Sequence, residues 1–152
     1  MHKGIVATDM EYIAKGLGKL GLFKGKTILI TGCAGFLGFY FVHFFKHLMD
    51  KGINIKSLIL LDNFIMGTPE WLCGFKGNKK IHIHRFDIAK DNIGKISGSR
   101  QTDYVIHLAS IASPAFYRKF PLETLDSNVW GLRNLLDFYR QRHLQGLLFF
   151  SS

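Results

Sequence analysis

Three glycines at a regular stride, Gly32, Gly35 and Gly38, stand where a short apolar run, Lys26-Thr-Ile-Leu-Ile-Thr31, gives way to a segment patterned as a helix from about Phe36. This arrangement can bind a pyrophosphate, which needs backbone that approaches closely, amide N–H groups aimed at an anion, and the positive end of a helix dipole. Gly32 permits the tight turn off the strand, Gly35 places no Cβ before the phosphates, and Gly38 lets the new helix pack closely. The spacing is G-x-x-G-x-x-G, not the commoner G-x-G-x-x-G, and glycine triplets also mark ordinary turns, so a second feature has to decide. That feature is Asp62, at the tip of the next apolar run, Ser57-Leu-Ile-Leu-Leu61. A carboxylate there accepts hydrogen bonds from both ribose hydroxyls and repels a 2′-phosphate, which favours NAD over NADP. The alternative is an aspartate that merely opens a turn with Asn63.

Other reactive side chains group less convincingly. His82 and His84 alternate along one strand and His43 and His47 are helical neighbours, but neither pair has a third ligand at metal spacing or the glutamate of H-E-x-x-H, so no metal site is expected. Cys33 and Cys73 are too few for a disulfide framework, and both are expected as free thiols.

The elements that must position the glycines and Asp62 follow from periodicity. Beyond the two strands, the alternating Ile81-His-Ile-His-Arg-Phe86 predicts a third strand, Asp91–Lys95 a helical turn, and Asp103-Tyr-Val-Ile-His107 a fourth strand. Leu125, Val129, Leu132, Leu136 and Tyr139 recur at helical spacing and predict a long helix over 123–141, apolar along that stripe. Leu147-Leu-Phe-Phe150 predicts a buried fifth strand. Near the start, Thr8-Asp-Met-Glu11 has the capping-box pattern and predicts a short helix toward Leu17. Gly16, Gly18 and Gly21 then suggest a flexible linker, so residues 1–25 precede the main domain, 26–152. Strands alternating with helices predict an α/β fold: a Rossmann-type parallel sheet of order 3-2-1-4-5 with helices on both faces and the first strand at the switch point.

Composition narrows the class. The 152 residues carry a formal charge of +9 and are 47% hydrophobic, enough for one globular domain with a real core. The basic residues are dispersed, with Lys76, Lys79 and Lys80 the one tight group, and no nucleic-acid-binding motif is present, so nucleic acid is not an expected partner. A basic surface would equally draw a doubly negative nucleotide sugar. The longest apolar stretch, Gly35 to Phe45, falls short of a membrane span, which takes about 20 residues. Met1 to Thr8 lacks a signal-peptide pattern, so the cytoplasm is the expected compartment.

Taken together, Thr31-Gly-Cys-Ala-Gly-Phe-Leu-Gly38, Leu61-Asp62-Asn63, Phe86-Asp87-Ile88, His107-Leu-Ala-Ser110 and Asn128-Val-Trp-Gly-Leu-Arg-Asn-Leu-Leu136 resemble the extended short-chain dehydrogenase/reductases, in their NAD-dependent nucleotide-sugar epimerase/dehydratase group. Ala112-Ser-Pro-Ala-Phe-Tyr117 with Pro121 further resembles the UDP-glucuronate decarboxylase branch. The resemblance implies NAD as cofactor and a nucleotide sugar as substrate, oxidised transiently to a ketone. It implies that Gly32, Gly35 and Gly38 hold the pyrophosphate, with Cys33, Ala34, Phe36 and Leu37 also cofactor-binding in the same turn, that Asp62 and Asn63 meet the adenosine ribose, and that Asp87 and Ile88 border the adenine. Leu108, Ala109 and Ser110 would line the channel to the nicotinamide, and Asn128 would brace the active-site end of the sheet, where the bland alternative is a helix-face asparagine bonding a neighbouring carbonyl. The group's Tyr-x-x-x-Lys pair should follow the fifth strand, and this chain has none, so no catalytic residue is assigned. The expectation is the cofactor portion of a nucleotide-sugar epimerase, dehydratase or decarboxylase, a fragment without its C-terminal substrate domain and inactive alone, with a serine of the terminal Ser151-Ser152 opening the substrate-binding run. The alternative is a non-catalytic NAD-binding or interaction module. Apolar surface left where the missing half would pack makes self-association, as a homodimer, a further expectation.

Overall fold

The computed structural model describes residues 2–150, so Ser151 and Ser152 lie outside the described residues. In chain order the elements are α1 (His2–Leu17), β1 (Thr27–Thr31), α2 (Phe36–Asp50), β2 (Ser57–Asp62), α3 (Glu70–Cys73), β3 (Ile81–Arg85), β4 (Tyr104–His107), α4 (Pro114–Lys119), α5 (Pro121–Tyr139) and β5 (Gly146–Phe149), with 3-10 turns at Leu20–Phe23, Ile93–Lys95 and Ser99–Gln101. The strands form one parallel sheet of order β3-β2-β1-β4-β5. β1 is central and buried along its whole length, as a strand covered on both faces must be.

Alternate residues of β1 feed two cores. Ile28 and Ile30 pack with Val42, Phe45 and Leu48 of α2 and Met10 of α1, while Leu29 packs with Ile59, Val105 and the α5 residues Leu135 and Tyr139. Helices therefore cover both faces. At the N-terminal ends of the strands, Asp103 Oδ2 accepts from Thr27 N at 2.8 Å and Lys26 Nζ donates to its Oδ1 at 3.3 Å, which fixes β4 in register with β1.

Four expectations are corrected. The first helix opens at His2, not at Thr8, whose hydroxyl instead donates to the Gly4 carbonyl at 2.9 Å, the back-bond a mid-helix threonine makes. The glycine-bearing segment after it is not a loose linker, because Phe23 sets its ring edge-on against Phe45 and Tyr104, with centroids 5.2 and 6.0 Å away, and Gly25 N donates to Asn54 O at 2.7 Å. On α5 the apolar stripe divides: Leu125, Val129 and Leu136 are exposed and Leu132 is half-buried, while Tyr139 is buried together with Gly131 and Leu135. β5 is an edge strand, half covered, with Leu148 exposed.

Candidate functional site

A cleft of about 130 Å³, open to solvent, lies at the C-terminal ends of β1 to β4, the switch point of the sheet. Gly32 forms its floor. It sits at φ +69, and a Cβ there would come 2.6 Å from the Ala109 nitrogen, so the turn off β1 lies directly on the segment leaving β4. Gly38 is as crowded, since its Cβ would meet the Cys33 carbonyl at 2.3 Å and press the first turn of α2 into the turn before it. Gly35 differs from both. Its Cβ would touch only the Gly32 carbonyl, at 3.4 Å, and otherwise face open cleft.

α2 begins at this open position, with Gly35 in extended conformation as N-cap and no side chain capping it. The N–H groups of Phe36, Leu37 and Gly38 belong to the first turn and have no intrahelical acceptor, so a positive, donor-rich helix end opens into the cleft. An anion with several acceptor oxygens fits that end. The side chains of this segment point elsewhere: Cys33 is fully buried in the α2 core, while Phe36 is 78% exposed. Burial first, and the Asp62 carboxylate second, push the Cys33 thiol up, so it stays protonated and unreactive.

Asp62 is more than a waiting acceptor. Its Oδ2 accepts from Ala34 N at 2.9 Å and its Oδ1 from Phe64 N at 2.8 Å, so the carboxylate pins the glycine turn on one side and the next loop on the other. Each oxygen keeps a lone pair for a ligand hydroxyl. Phe64 takes the left-handed conformation, φ +55, under the Arg85 guanidinium, which also donates to Asn63 O at 2.7 Å. Asn63 caps its own turn, its Oδ1 accepting from Ile65 N.

At the far end of the cleft the Asp87 loop closes on itself. Asp87 Oδ1 accepts from Ala89 N, and Asp91 Oδ2 accepts from Asp87 N, at 3.0 and 2.8 Å. Ile88 lies beneath, 5% exposed. At the opposite end, Leu108, Ala109 and Ser110 line the wall, and Asn128 reaches across from α5 to donate to Ser110 Oγ at 2.9 Å and to Thr124 O at 2.8 Å. Asn128 thus bonds the neighbouring carbonyl and braces the wall at once.

Below this wall, Thr31 Oγ1 and His107 Nδ1 share a buried hydrogen bond of 2.6 Å, Ala109 N donates to the same hydroxyl at 3.4 Å, and the imidazole stacks on Phe149. Burial lowers the His107 pKa to about 4, so the ring is neutral. Thr31 and His107 carry no sequence signal as site residues, and neither do Ile65, Met66, Lys90, Glu123 and Asp126 on the rim of the cleft. Among the described residues no three His, Cys, Asp or Glu side chains are placed to share a metal ion, and no helix is long and apolar enough to cross a membrane.

A sequence model described as the NAD dependent epimerase/dehydratase family matches residues 28–152. The chain is 33% identical over 114 residues to UDP-glucuronic acid decarboxylase 1 of Arabidopsis thaliana, an alignment covering 74% of the chain and 23% of the relative. Among solved structures it is similar to the UDP-glucose 4-epimerase of Thermotoga maritima with UDP-glucose, at 28% identity and TM-score 0.64 over 83% of the chain and 38% of the enzyme. It shares its fold with the Bordetella bronchiseptica enzyme WbmF in complex with NAD+ and UDP, at 18% identity and TM-score 0.68 over 85% of the chain and 36% of that protein. The chain spans about a quarter of the length of the UDP-glucuronic acid decarboxylases it is similar to.

Proposed function

The chain belongs to the NAD-dependent epimerase/dehydratase family, and from that premise we propose that residues 26–152 are the NAD-binding portion of an enzyme that remodels a nucleotide sugar through a transient keto-sugar. The observation that carries this reading is the uncapped start of α2, opening at Gly35 into a cleft whose side wall is Asp62. Its free N–H groups at Phe36, Leu37 and Gly38, with the backbone of Gly32, Cys33, Ala34 and Gly35, take the pyrophosphate. The remaining lone pairs of Asp62, beside Asn63, accept the adenosine ribose hydroxyls, and Asp87 and Ile88 border the adenine. Leu108, Ala109 and Ser110 line the way to the nicotinamide, with Asn128 fixing the Ser110 hydroxyl. NAD bound there supplies a hydride acceptor for a sugar carbon.

The decarboxylase relatives at 33–34% identity favour a UDP-sugar acid as substrate, over the epimerisation named for relatives at 27%. A homodimer and a cytoplasmic setting belong to the same proposal. A second reading, NAD binding without turnover, is favoured by one fact: none of the five tyrosines has a lysine four residues on. Hydride transfer in such a site needs a base for the hydroxyl proton, and no described side chain of the cleft is placed as that tyrosine–lysine pair.

Titration calorimetry with NAD and NADP on the 152-residue chain tests the binding half. NAD is expected to bind at least about tenfold tighter than NADP, since the Asp62 carboxylate opposes a 2′-phosphate. Absence of NAD binding would sink the proposal. The same chain is expected to leave UDP-glucuronate and UDP-glucose unchanged over hours, and measurable conversion of either would overturn the assignment of catalysis to residues outside it.

A further inference from the structure

The run that opens with Asn128 contains two further residues that the cofactor reading leaves without a task, Gly131 and Asn134. Both face the Asp87 loop. Asn134 Nδ2 donates to the Ile88 carbonyl at 3.1 Å and to the Ala89 carbonyl at 3.2 Å, spending its two N–H bonds on consecutive peptides. Gly131 makes the notch into which Ile88 fits, and a Cβ on it would lie 2.8 Å from Ile88 Cγ2. The loop is therefore held to α5 by an apolar peg and an amide clip.

The orientation this imposes reaches the ligand side. With the carbonyls of Ile88 and Ala89 turned toward α5, and Ala89 N and Asp87 N satisfied within the loop, the Ile88 N–H has no acceptor among the described residues, while the segment Asp87–Lys90 forms one end of the cleft. A free donor at the end of a cleft suits a ring nitrogen acceptor. The same helix holds the opposite wall through Asn128 and Ser110, and six residues of helix separate the two asparagines by about 9 Å along the axis. α5 is thus a spacer between the two ends of the site.

We propose that Asn134, seated by Gly131, is a positioning residue for purine recognition: it fixes the Asp87–Ala89 segment so that the Ile88 N–H and the Asp87 carboxylate meet the base. The proposal rests on the reading of the cleft as a dinucleotide site. Its test separates the two ends of that ligand, by titrating the wild-type chain, Asn134→Leu and Gly131→Ala with AMP, NAD and nicotinamide mononucleotide, followed by amide chemical shifts. Loss of the amide clip in Asn134→Leu and displacement of Ile88 in Gly131→Ala are each expected to weaken AMP and NAD by about tenfold, with nicotinamide mononucleotide unchanged. Asn134→Gln, which keeps the two donors on a longer arm, is expected to recover part of the loss. Equal weakening of AMP and nicotinamide mononucleotide, in variants with wild-type circular dichroism, would show a general structural role and overturn the inference. So would wild-type affinity for AMP in both variants. A wild-type chain that binds neither AMP nor NAD would remove the dinucleotide reading itself, and this inference with it.

Discussion

Gly32, Gly35 and Gly38 look equivalent as letters and differ as positions. Gly38 is pressed against the Cys33 carbonyl and Gly32 against Ala109 at positive φ, whereas Gly35 borders empty cleft at φ −79. Alanine is therefore expected to act oppositely at the two helix-side positions. Gly38→Ala should lower unfolding free energy by about 3 kcal/mol or more, because backbone atoms cannot yield as a side chain would, while Gly35→Ala should unfold like the wild type and lose NAD. Urea unfolding and NAD titration of both proteins check this, and a Gly35→Ala variant that keeps NAD affinity would contradict it. His107 makes a prediction about acid. Its pKa falls from the usual 6.5 to about 4 on folding, so between those values the unfolded chain binds the proton and the native chain does not. Stability is complete above about pH 6.5 and declines as the pH drops toward 4, by up to about 3 kcal/mol from this residue. Burial depresses His43 and His84 in the same direction. Urea midpoints compared at pH 7 and pH 5 should fall for the wild type and fall less for His107→Asn, and equal slopes would refute the assignment.

Among the elements, β1 and β2 were legible as the uninterrupted apolar runs of strands covered on both faces and β3 as an alternating edge strand, and the glycine stride marks which run is central. The outward face of α5 was not legible. A stripe of leucines announces burial only when the opposite face is polar and large, and here the face that packs on the sheet is built from Asn128, Gly131 and Asn134 with Leu135 and Tyr139, small or amide groups selected to clasp loops. The start of α1 was hidden for a related reason, since a threonine followed by glutamate three residues on serves as well inside a helix as at its cap. Of the site, the glycines and Asp62 were legible, whereas the second task of Asp62, pinning Ala34 and Phe64, depends on loop geometry that no spacing encodes. The exposed stripe has its own consequence. Leu122, Leu125, Val129, Leu132 and Leu136 alternate at three- and four-residue steps, the seam of a helix that pairs with another helix of its kind. Sedimentation of the wild-type chain is expected to give a dimer, and Leu125→Glu with Val129→Glu a monomer with unchanged NAD affinity. A wild-type monomer at high micromolar concentration would rule out this seam as an interface.

Over the whole molecule, a second apolar surface besides that seam is a groove where α1, α2, β4 and β5 meet, lined by Leu17, Leu22, Phe41, Phe44 and Leu148. The groove takes in residues of β5 and shares no lining residue with the cleft at the glycine turn. The contact between Gly32 and Ala109 bears on the order in which the protein is made. β1 and β2 leave the ribosome early and can pair at once, but the floor under the glycine turn comes from the end of β4, and Asn128, which holds that segment through Ser110, comes later still. Pairing across such a separation is slow, and a ligand stabilises only the state that contains its site. On the proposed reading, a dinucleotide has no complete site until the segment after β4 is in place, and it stabilises only the states that contain that segment. A nascent chain halted short of Ala109 would carry every glycine of the turn and still lack the backbone against which Gly32 is set.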